Sequence, residues 1–402
     1  MSIALADLDF LTSDAGVRLL ERLASEELSD ERTLSLLTAL RREFTGQQAG
    51  AALELARLRK QAVAKFGNDA AKLYFTRDAL EQASDPLIRA WRVTISNTAA
   101  RVVDACCSIG ADALAFAQVG SDVIGLDIDP LRVAMARLNA TALGVAARAA
   151  ASLTFEVADV RDGLPDADLI FFDPGRRDDN GKRIFDVERY QPPLSTIRGW
   201  HARQIMVKLS PGVDLAQVAA YVEDGAGIAF VSVDGDLKEA LLYRGIVPVG
   251  AAVLLTSGMA HTWSNHASAV APVGEPRGWL VEPDPAIIRA GLVGDVALEL
   301  GGAQLDAEIA YITTDDRPDS PWVRAWKIVD WMPFNVKKLR AYLRERDVGQ
   351  VTVKKRGTAV TPEALIARLK LNGSGSRTIV LTRCRGEHVT LVCDDLTTEG
   401  GG

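Results

Sequence analysis

Apolar residues in the first 95 positions recur at three- and four-residue intervals, the spacing that lines one face of a helix. Thr12-Ser13-Asp14 offers an N-cap to an amphipathic run ending near Glu27. Ser29-Asp30 opens a second run, with Leu34, Leu37 and Leu40 on one face. Thr45-Gly46 opens a third, in which Leu53, Leu55, Leu58 and Val63 lead toward Phe66, and Gly67-Asn68-Asp69 marks a turn. From Arg101 the pattern changes to short apolar runs: Arg101–Cys107, Asp122–Ile128, Ser152–Asp159, Ala167–Pro174, Gln204–Pro211, Ile228–Val233 and Val249–Ser257. Such runs read as strands, several of them buried on both faces. Helical stretches are expected at Ala111–Val119, from Pro130 with Asp129 as N-cap, at Glu188–Trp200 and at Asp214–Glu223. Strands alternating with helices at this spacing predict an α/β fold with a doubly wound, mostly parallel sheet.

Beyond Ser264 the composition shifts. Ala271–Pro285 is rich in Pro and Gly and reads as a linker, and Asp315–Pro321 as another loop. From Trp322 the pattern is helix (Lys337–Glu345), strand (Gln350–Arg356), helix (Thr361–Leu371) and two strands (Thr378–Cys384, His388–Cys393), a small α+β domain. The expected organisation is therefore a helical segment over 1–95, an α/β domain over 96–265, a connecting segment over 266–324 and the α+β domain over 325–395. A short Gly-rich tail follows.

At 402 residues, with 48% hydrophobic and 25% charged side chains, the chain has enough apolar material for a large core. A formal net charge of −7 argues against a protein that coats nucleic acid along its whole surface. The charge is uneven, however: Ala325–Thr390 holds fourteen Lys and Arg against five Asp and Glu, a local excess of nine positive charges. Four cysteines, two of them adjacent, imply neither a disulfide framework nor a zinc site, and a cytoplasmic location is expected. Asp7 and Asp9 stand where a signal peptide would be basic, and no apolar run reaches membrane-spanning length. His201, His261, His266 and His388 lack metal-ligand spacing, so no metal is expected and each reads as structural or solvated.

Candidate chemistry gathers where the expected strands end. The run Asp104-Ala105-Cys106-Cys107-Ser108-Ile109-Gly110 is a strand end and tight turn ahead of a helix containing Asp112, and Asp127-Ile128 closes the next strand. A turn whose backbone approaches a ligand, followed some twenty residues on by a carboxylate for a ribose diol, is the geometry of a nucleoside site. A dinucleotide fingerprint wants three glycines and no negative charge at the helix start. Cys106, Ser108 and Asp112 argue against that ligand, and a ribose with a cationic tail fits better: S-adenosylmethionine. Asp159-Val160 and Asp173-Pro174 fall at the ends of two further strands. Ligands of doubly wound sheets lie beyond those carboxyl ends.

The stretches DACCSIGADALAFA and GLDIDPLRVAMARLNA resemble motif I and the following acidic motif of class I methyltransferases, most closely the bacterial family with a C-terminal THUMP-like domain. They are also similar to trimethylguanosine synthase, an RNA cap methyltransferase. The resemblance implies S-adenosylmethionine as cofactor, with Asp104, Cys106, Ser108, Ile109, Gly110, Asp112, Asp127, Ile128, Asp159 and Val160 as its candidate contacts. The third-strand pair Asp159-Val160 inherits the adenine amino group. Asp173-Pro174 are the candidate catalytic residues, a carboxylate and a carbonyl able to accept the N–H bonds of an exocyclic amine.

Here the chain departs from base-amine methyltransferases, which carry Asp-Pro-Pro or Asn-Pro-Pro and then an aromatic residue. This chain has Gly175 in place of the second proline and Arg176 in place of the aromatic. Arg176 and Arg177 are expected either to clamp phosphate or to pair with Asp178, Asp179 or Glu188. Lys208 and the basic run Lys354-Lys355-Arg356 are further candidates for contacting substrate. Tyr74, Phe75 and Trp91, near the basic stretch KLYFTR, read either as core packing or as rings closing over cofactor or base. The expected function is methylation of a base nitrogen in RNA, tRNA or rRNA. The alternatives are a small-molecule or protein methyltransferase, and a non-catalytic module that keeps the cofactor fold.

Overall fold

In the computed structural model, residues 3–96, 99–145, 152–178, 181–264 and 269–394 are described, so His266, Asp179 and the Gly-rich tail fall outside it. The chain divides into two compact units. One holds residues up to 228 with 238–249 and 256–258, and the other holds 229–237, 250–255 and the chain from 259.

The first unit begins with helices α1 (Asp7–Thr12), α2 (Asp14–Ala24), α3 (Asp30–Leu40), α4 (Gly46–Phe66), α5 (Arg77–Gln82) and α6 (Pro86–Ile95). Their starts follow the sequence signals. Ser13 Oγ accepts from the Gly16 N–H, and Thr45 with Gln48 forms a reciprocal capping box at α4. Leucines on the inner faces of α2 and α4, among them Leu20, Leu23, Leu55 and Leu58, form a core with Phe75. Tyr74, Phe75 and Trp91 are buried. Of the two readings of these rings, core packing is the one the structure bears out.

The α/β part follows: β1 (Arg101–Ala105), α7 (Ala111–Gln118), β2 (Asp122–Asp127), α8 (Pro130–Leu143), β3 (Leu153–Val157), β4 (Leu169–Phe172) and β5 (Gln204–Leu209), then a helix over Leu215–Glu223 and, after β6 (Gly227–Val233), most of which falls in the second unit, β7 (Asp236–Arg244). Within this unit the strands lie in the order β3-β2-β1-β4-β5-β7. All neighbours are parallel except β5 and β7, which are antiparallel. Strand order reverses between β1 and β4, which makes the carboxyl ends of those strands the place for a ligand. Two expectations are corrected here. Glu188–Trp200 is not one helix but two short 3₁₀ turns, Val187–Arg189 and Leu194–Gly199, because Pro192-Pro193 interrupts it. The strand β7 was not anticipated: Leu237–Tyr243 carries Lys238 and Glu239 inside its apolar run, which obscured its pattern.

In the second unit β6 pairs in parallel with β8 (Ala252–Thr256), which neighbours β9 (Met259–Trp263). A separate seven-stranded sheet contains β10 (Trp279–Pro283), β11 (Ala303–Asp306), β12 (Ile309–Thr314), β13 (Val323–Pro333), β14 (Val348–Lys355), β15 (Gly375–Cys384) and β16 (Glu387–Cys393), in the order β11-β12-β10-β13-β16-β15-β14. The stretch expected to be a connecting segment thus supplies three strands and two short helices. The eleven-residue β13 joins the halves, pairing with β10 through Val323–Lys327 and with β16 through Ile328–Pro333. Helices over Val336–Glu345 and Pro362–Leu369 cover one face, where Leu339, Leu365, Ile379 and Leu381 meet. Val380, Val389 and Leu391 point to a second core that includes Leu280 and Trp326. That alternation is the period of two expected of a sheet buried on both sides.

Candidate active site

The turn after β1 is built from left-handed backbone: Cys106 (φ 67°), Ser108 (φ 51°) and Gly110 (φ 80°) alternate with ordinary residues. Non-glycine residues in this region cost roughly 1–3 kcal/mol each and need support. Asp127 at the end of β2 supplies part of it. Its carboxylate accepts the Ser108 N–H and the Asp129 N–H, both at 2.9 Å, while Asp129 caps α8 through the Leu131 N–H at 2.8 Å. Buried Asn139 braces the other side, donating to Ile109 O at 3.1 Å and Tyr74 O at 3.2 Å and accepting the Tyr74 N–H at 2.7 Å. Gly110 fits because a Cβ there would stand 2.9 Å from the Phe155 ring.

A cavity of about 700 Å³ opens at this turn, within the range that suits cofactors. It is lined by Asp104, Cys106, Ser108, Ile109 and Asp112 from the β1–α7 region, by Asp127 and Ile128 after β2, and by Asp159 and Val160 after β3. Asp173, Arg176 and Arg177 after β4 complete its other end, with Tyr190 and the segment Asp78–Ala83 beside them. Strands 3-2-1-4 therefore gather the expected constellation along one rim. Gly110, Pro174 and Lys208 are not among the lining residues, and Lys354, Lys355 and Arg356 belong to the second unit. There Lys354 and Arg356 pair with Glu282 at 2.5 and 3.3 Å.

The acids differ in state. Asp104 is 1% exposed; its Oδ2 accepts the Ala113 N–H at 2.9 Å, and its Oδ1 has no hydrogen-bond partner. Burial, with Asp112 and Asp173 nearby, pushes its carboxyl well above the ordinary range. Burial also raises Asp127, against the backbone N–H of Asp129. Asp112 goes the other way. Burial opposes its charge, but Arg92, Lys208 and Arg89 outweigh it and hold the carboxyl below its usual value. Its oxygens are taken by Arg92 and by Ser84 Oγ at 2.9 Å, so Asp112 lines the cavity with a carboxylate already engaged. Asp159 is held down to about 2 by the Arg161 side chain, which bonds it at 2.5 to 3.0 Å. Burial raises the Cys106 and Cys107 thiols well above their ordinary value, which suits small packing groups rather than nucleophiles.

At the β4 end, Lys208 Nζ sits 2.7 Å from Asp173 Oδ2. Arg176 lies 3.8 Å from Asp173, and Arg177 reaches Glu81 at 3.5 Å and Gly181 O at 3.1 Å. The alternative partner Glu188 is instead bonded to the Tyr221 hydroxyl at 2.8 Å. Behind this end lies a group that the sequence reading missed: fully buried Arg92, bonded to Asp112, to Ser84 and to both oxygens of Glu239. A signal existed, since Arg92 stands four residues after Ile88 on the buried face of α6. Among the described residues no His, Cys, Asp or Glu cluster has metal-holding geometry, and no helix is long and apolar enough to cross a membrane.

A cavity lined by strand-end carboxyl groups, one buried carboxyl oxygen among them unpartnered, can hold a nucleoside carrying positive charge. With a sheet of this order, the fold and site define a class I methyltransferase core. Comparison with known proteins agrees. Residues 99–191 match the family model for RNA cap guanine-N2 methyltransferases, 323–395 match a THUMP domain-like model, and 4–62 match a domain of unknown function. The chain is 34% identical over 350 residues to an S-adenosylmethionine-dependent methyltransferase of Mycobacterium tuberculosis, found in strains CDC 1551 and H37Rv. The match covers 84% of this chain and 94% of the relative. A crystal structure of a methyltransferase from Porphyromonas gingivalis W83 shares the fold, with a TM-score of 0.76 at 20% identity over 99% of this chain and all of that one. The chain belongs to the class I S-adenosylmethionine-dependent methyltransferases that carry a C-terminal THUMP-like domain.

Proposed function

We propose that this protein transfers the methyl group of S-adenosylmethionine to a base nitrogen of RNA, in tRNA or rRNA, in the cytoplasm. The observation that carries the reading is the continuity of one cavity from the Asp104–Ser108 turn and Asp127 to Asp173. S-adenosylmethionine, when bound, supplies an electrophilic methyl group on a sulfonium with a good leaving group. Asp127 stands where it can accept from ribose hydroxyls while keeping the turn bent. Asp104 presents its free oxygen to positive charge. Asp159 and Val160 border the adenine end. At the other end Asp173 Oδ1 accepts an N–H of the incoming amine and aims its lone pair at the methyl carbon. Alignment of this kind lowers a barrier by roughly 7–11 kcal/mol when the pose is right.

RNA is supported by the basic excess of Ala325–Thr390 and by the descriptions of the two matching family models. In this reading the first unit carries catalysis, and the seven-stranded sheet, to which 279–314 contributes three strands, carries the stretch 325–395 that presents RNA. A small-molecule or protein acceptor is the second reading. It is favoured by the arginines at the cavity, since Arg132, Arg161, Arg176 and Arg177 each face an acid within 4 Å.

The test is label from methyl-tritiated S-adenosylmethionine, offered to fractionated tRNA, rRNA, protein and metabolite pools. Label in RNA that vanishes with Asp173→Ala is the expected result. Label confined to protein or metabolites overturns the RNA assignment, and transfer undiminished in Asp173→Ala overturns the role of Asp173.

A further inference from the structure

Lys208 has three ammonium hydrogens and three acceptors: Asp173 Oδ2 at 2.7 Å, Gln82 O at 2.9 Å and Ser84 Oγ at 3.2 Å. It is 5% exposed. One acceptor is the Asp173 carboxylate just after β4, proposed to bind the incoming amine, and the other two belong to the last residue of α5 and the segment that follows it. That segment is no sheet strand, and cationic side chains hold it. Lys65 donates to the carbonyls of Leu80, Glu81 and Ala83 at 2.7–2.8 Å, and Arg89 donates to the Ser84 carbonyl at 2.5 Å. With Lys208 on Gln82, five consecutive carbonyls from Leu80 to Ser84 each accept from a lysine or arginine. Asp78, Ala79, Gln82 and Ala83 face the same cavity as Asp173. Bonds from charged donors are shorter and roughly twice as strong as neutral ones.

We propose that Lys208 is a positioning residue for methyl transfer, tying Asp173 to the Leu80–Ser84 strap and so fixing the width of the slot into which the acceptor group enters. This rests on the reading of Asp173 given above. With Oδ2 held by Lys208, the carboxylate turns Oδ1 toward the slot, and the helical N-terminal segment becomes one wall of the transfer site. Without Lys208, Asp173 lies near the buried Asp104 with Arg176 at 3.8 Å as its remaining ion pair among the described residues, and its orientation is no longer set.

The experiment compares wild type, Lys208→Met, Lys208→Arg, Ser84→Ala and Asp173→Ala. Single-turnover methyl transfer is measured at saturating S-adenosylmethionine on whichever pool accepts label, cofactor affinity by calorimetry, and strap opening by amide hydrogen exchange. A displacement of about 1 Å near the chemistry costs about 100-fold. Lys208→Met is therefore expected to lose about 100-fold in transfer rate, with cofactor affinity within about threefold and faster exchange over 78–84. Lys208→Arg recovers part of the rate. Ser84→Ala, which buries no new charge, gives an intermediate loss with the same unchanged affinity. Transfer within threefold of wild type in both Lys208→Met and Ser84→Ala, while Asp173→Ala is inactive, overturns the inference, as does a Lys208→Met defect that resides wholly in cofactor affinity. If Asp173→Ala is itself fully active, the reading of Asp173 fails, and the hydrogen-exchange result alone decides whether Lys208 holds the strap.

Discussion

Arg92 on α6 and Glu239 on β7 stand 147 residues apart in the chain and meet with the guanidinium bonded to both carboxylate oxygens, at 2.6 and 2.5 Å, away from solvent. Arg92 also bonds Asp112 and lies over the Phe171 ring. Burial alone disfavours the Arg92 charge, but Glu239 and Asp112 outweigh it and hold the guanidinium above its ordinary value. The helical segment and the α/β sheet are thus riveted by charge inside their own unit.

Removing one member of such a group leaves the others buried and uncompensated, which costs about 3–5 kcal/mol. Arg92→Met is therefore expected to lower unfolding free energy by about that amount, and Glu239→Gln by less because a hydrogen-bonding amide remains. Denaturant titration of each variant checks the order. Asp112, held below its usual value, contributes stability above about pH 4 that is lost as pH falls through the lowered value. Acid unfolding of Arg92→Met should accordingly depend less steeply on pH in that window.

Asp104 behaves in the opposite sense. Its folded value is raised, so above about pH 4 the folded, cofactor-free protein keeps a proton that the unfolded chain has released. Stability then falls as pH rises toward the raised value, and Asp104→Asn flattens that fall. A bound cation favours the ionised carboxylate, so binding of S-adenosylmethionine is expected to expel a proton. Calorimetry in buffers of different ionisation enthalpy reads this directly. Proton release unchanged in Asp104→Asn would assign the proton to another group.

Asp127 has two duties, and substitution can separate them. Alanine removes both turn bonds, to Ser108 and to Asp129, together with any ribose contact. Asparagine keeps one acceptor oxygen and the side-chain volume. Hydrogen bonds to a charged group contribute roughly 1.5–3 kcal/mol each. Cofactor affinity in Asp127→Asn should fall about tenfold or more, and in Asp127→Ala further still, by calorimetry. Equal affinity in wild type and both variants would remove Asp127 from the cofactor site.

Most of the rim was legible in the sequence because strand ends leave local marks. Asp127, Asp159 and Asp173 each close an apolar run, Asp104 stands one residue before the end of β1, and the parallel sheet aligns those strand ends without further information. What escaped was set by long-range pairing. Arg92, Ser84 and Glu239 find one another through tertiary contacts, and no local spacing announces that a lysine on β5 will hold a carboxylate just after β4. The same limit explains 266–324. Its strands are short and separated by Pro and Gly, and they became recognisable only when β10 and β12 paired. The match of Asp112 to the motif was legible, but its engagement by Arg92 was not.

Gly110 is a compact test of the turn. Its φ of 80° disfavours any side chain, and a Cβ would press on the Phe155 ring at 2.9 Å and on Ala136 at 3.2 Å. Gly110→Ala should lose roughly 1–2 kcal/mol from backbone conformation alone, more with the clash, and weaken cofactor binding by displacing Ser108. Thermal unfolding with and without S-adenosylmethionine separates the two losses. A variant as stable as wild type would mean that the turn tolerates a second conformation.

Salt offers the sharpest test of the RNA assignment. Fourteen Lys and Arg against five Asp and Glu between Ala325 and Thr390 give that stretch its positive excess, in a chain that is acidic as a whole. Some of those cations are committed, as Lys354 and Arg356 are to Glu282, whereas Lys337, Lys338 and Lys355 have no acid partner within 4 Å among the described residues. Each phosphate neutralised releases counterions, with a slope near −0.7 per contact for single strands, so three contacts predict a log–log slope of about −2. Measuring RNA affinity between 50 and 200 mM salt, with wild type and with Lys337→Glu/Lys338→Glu, tests this: the double variant should bind more weakly and show a shallower slope. Affinity independent of salt in wild type would exclude a phosphate-reading surface, and with it RNA as the acceptor.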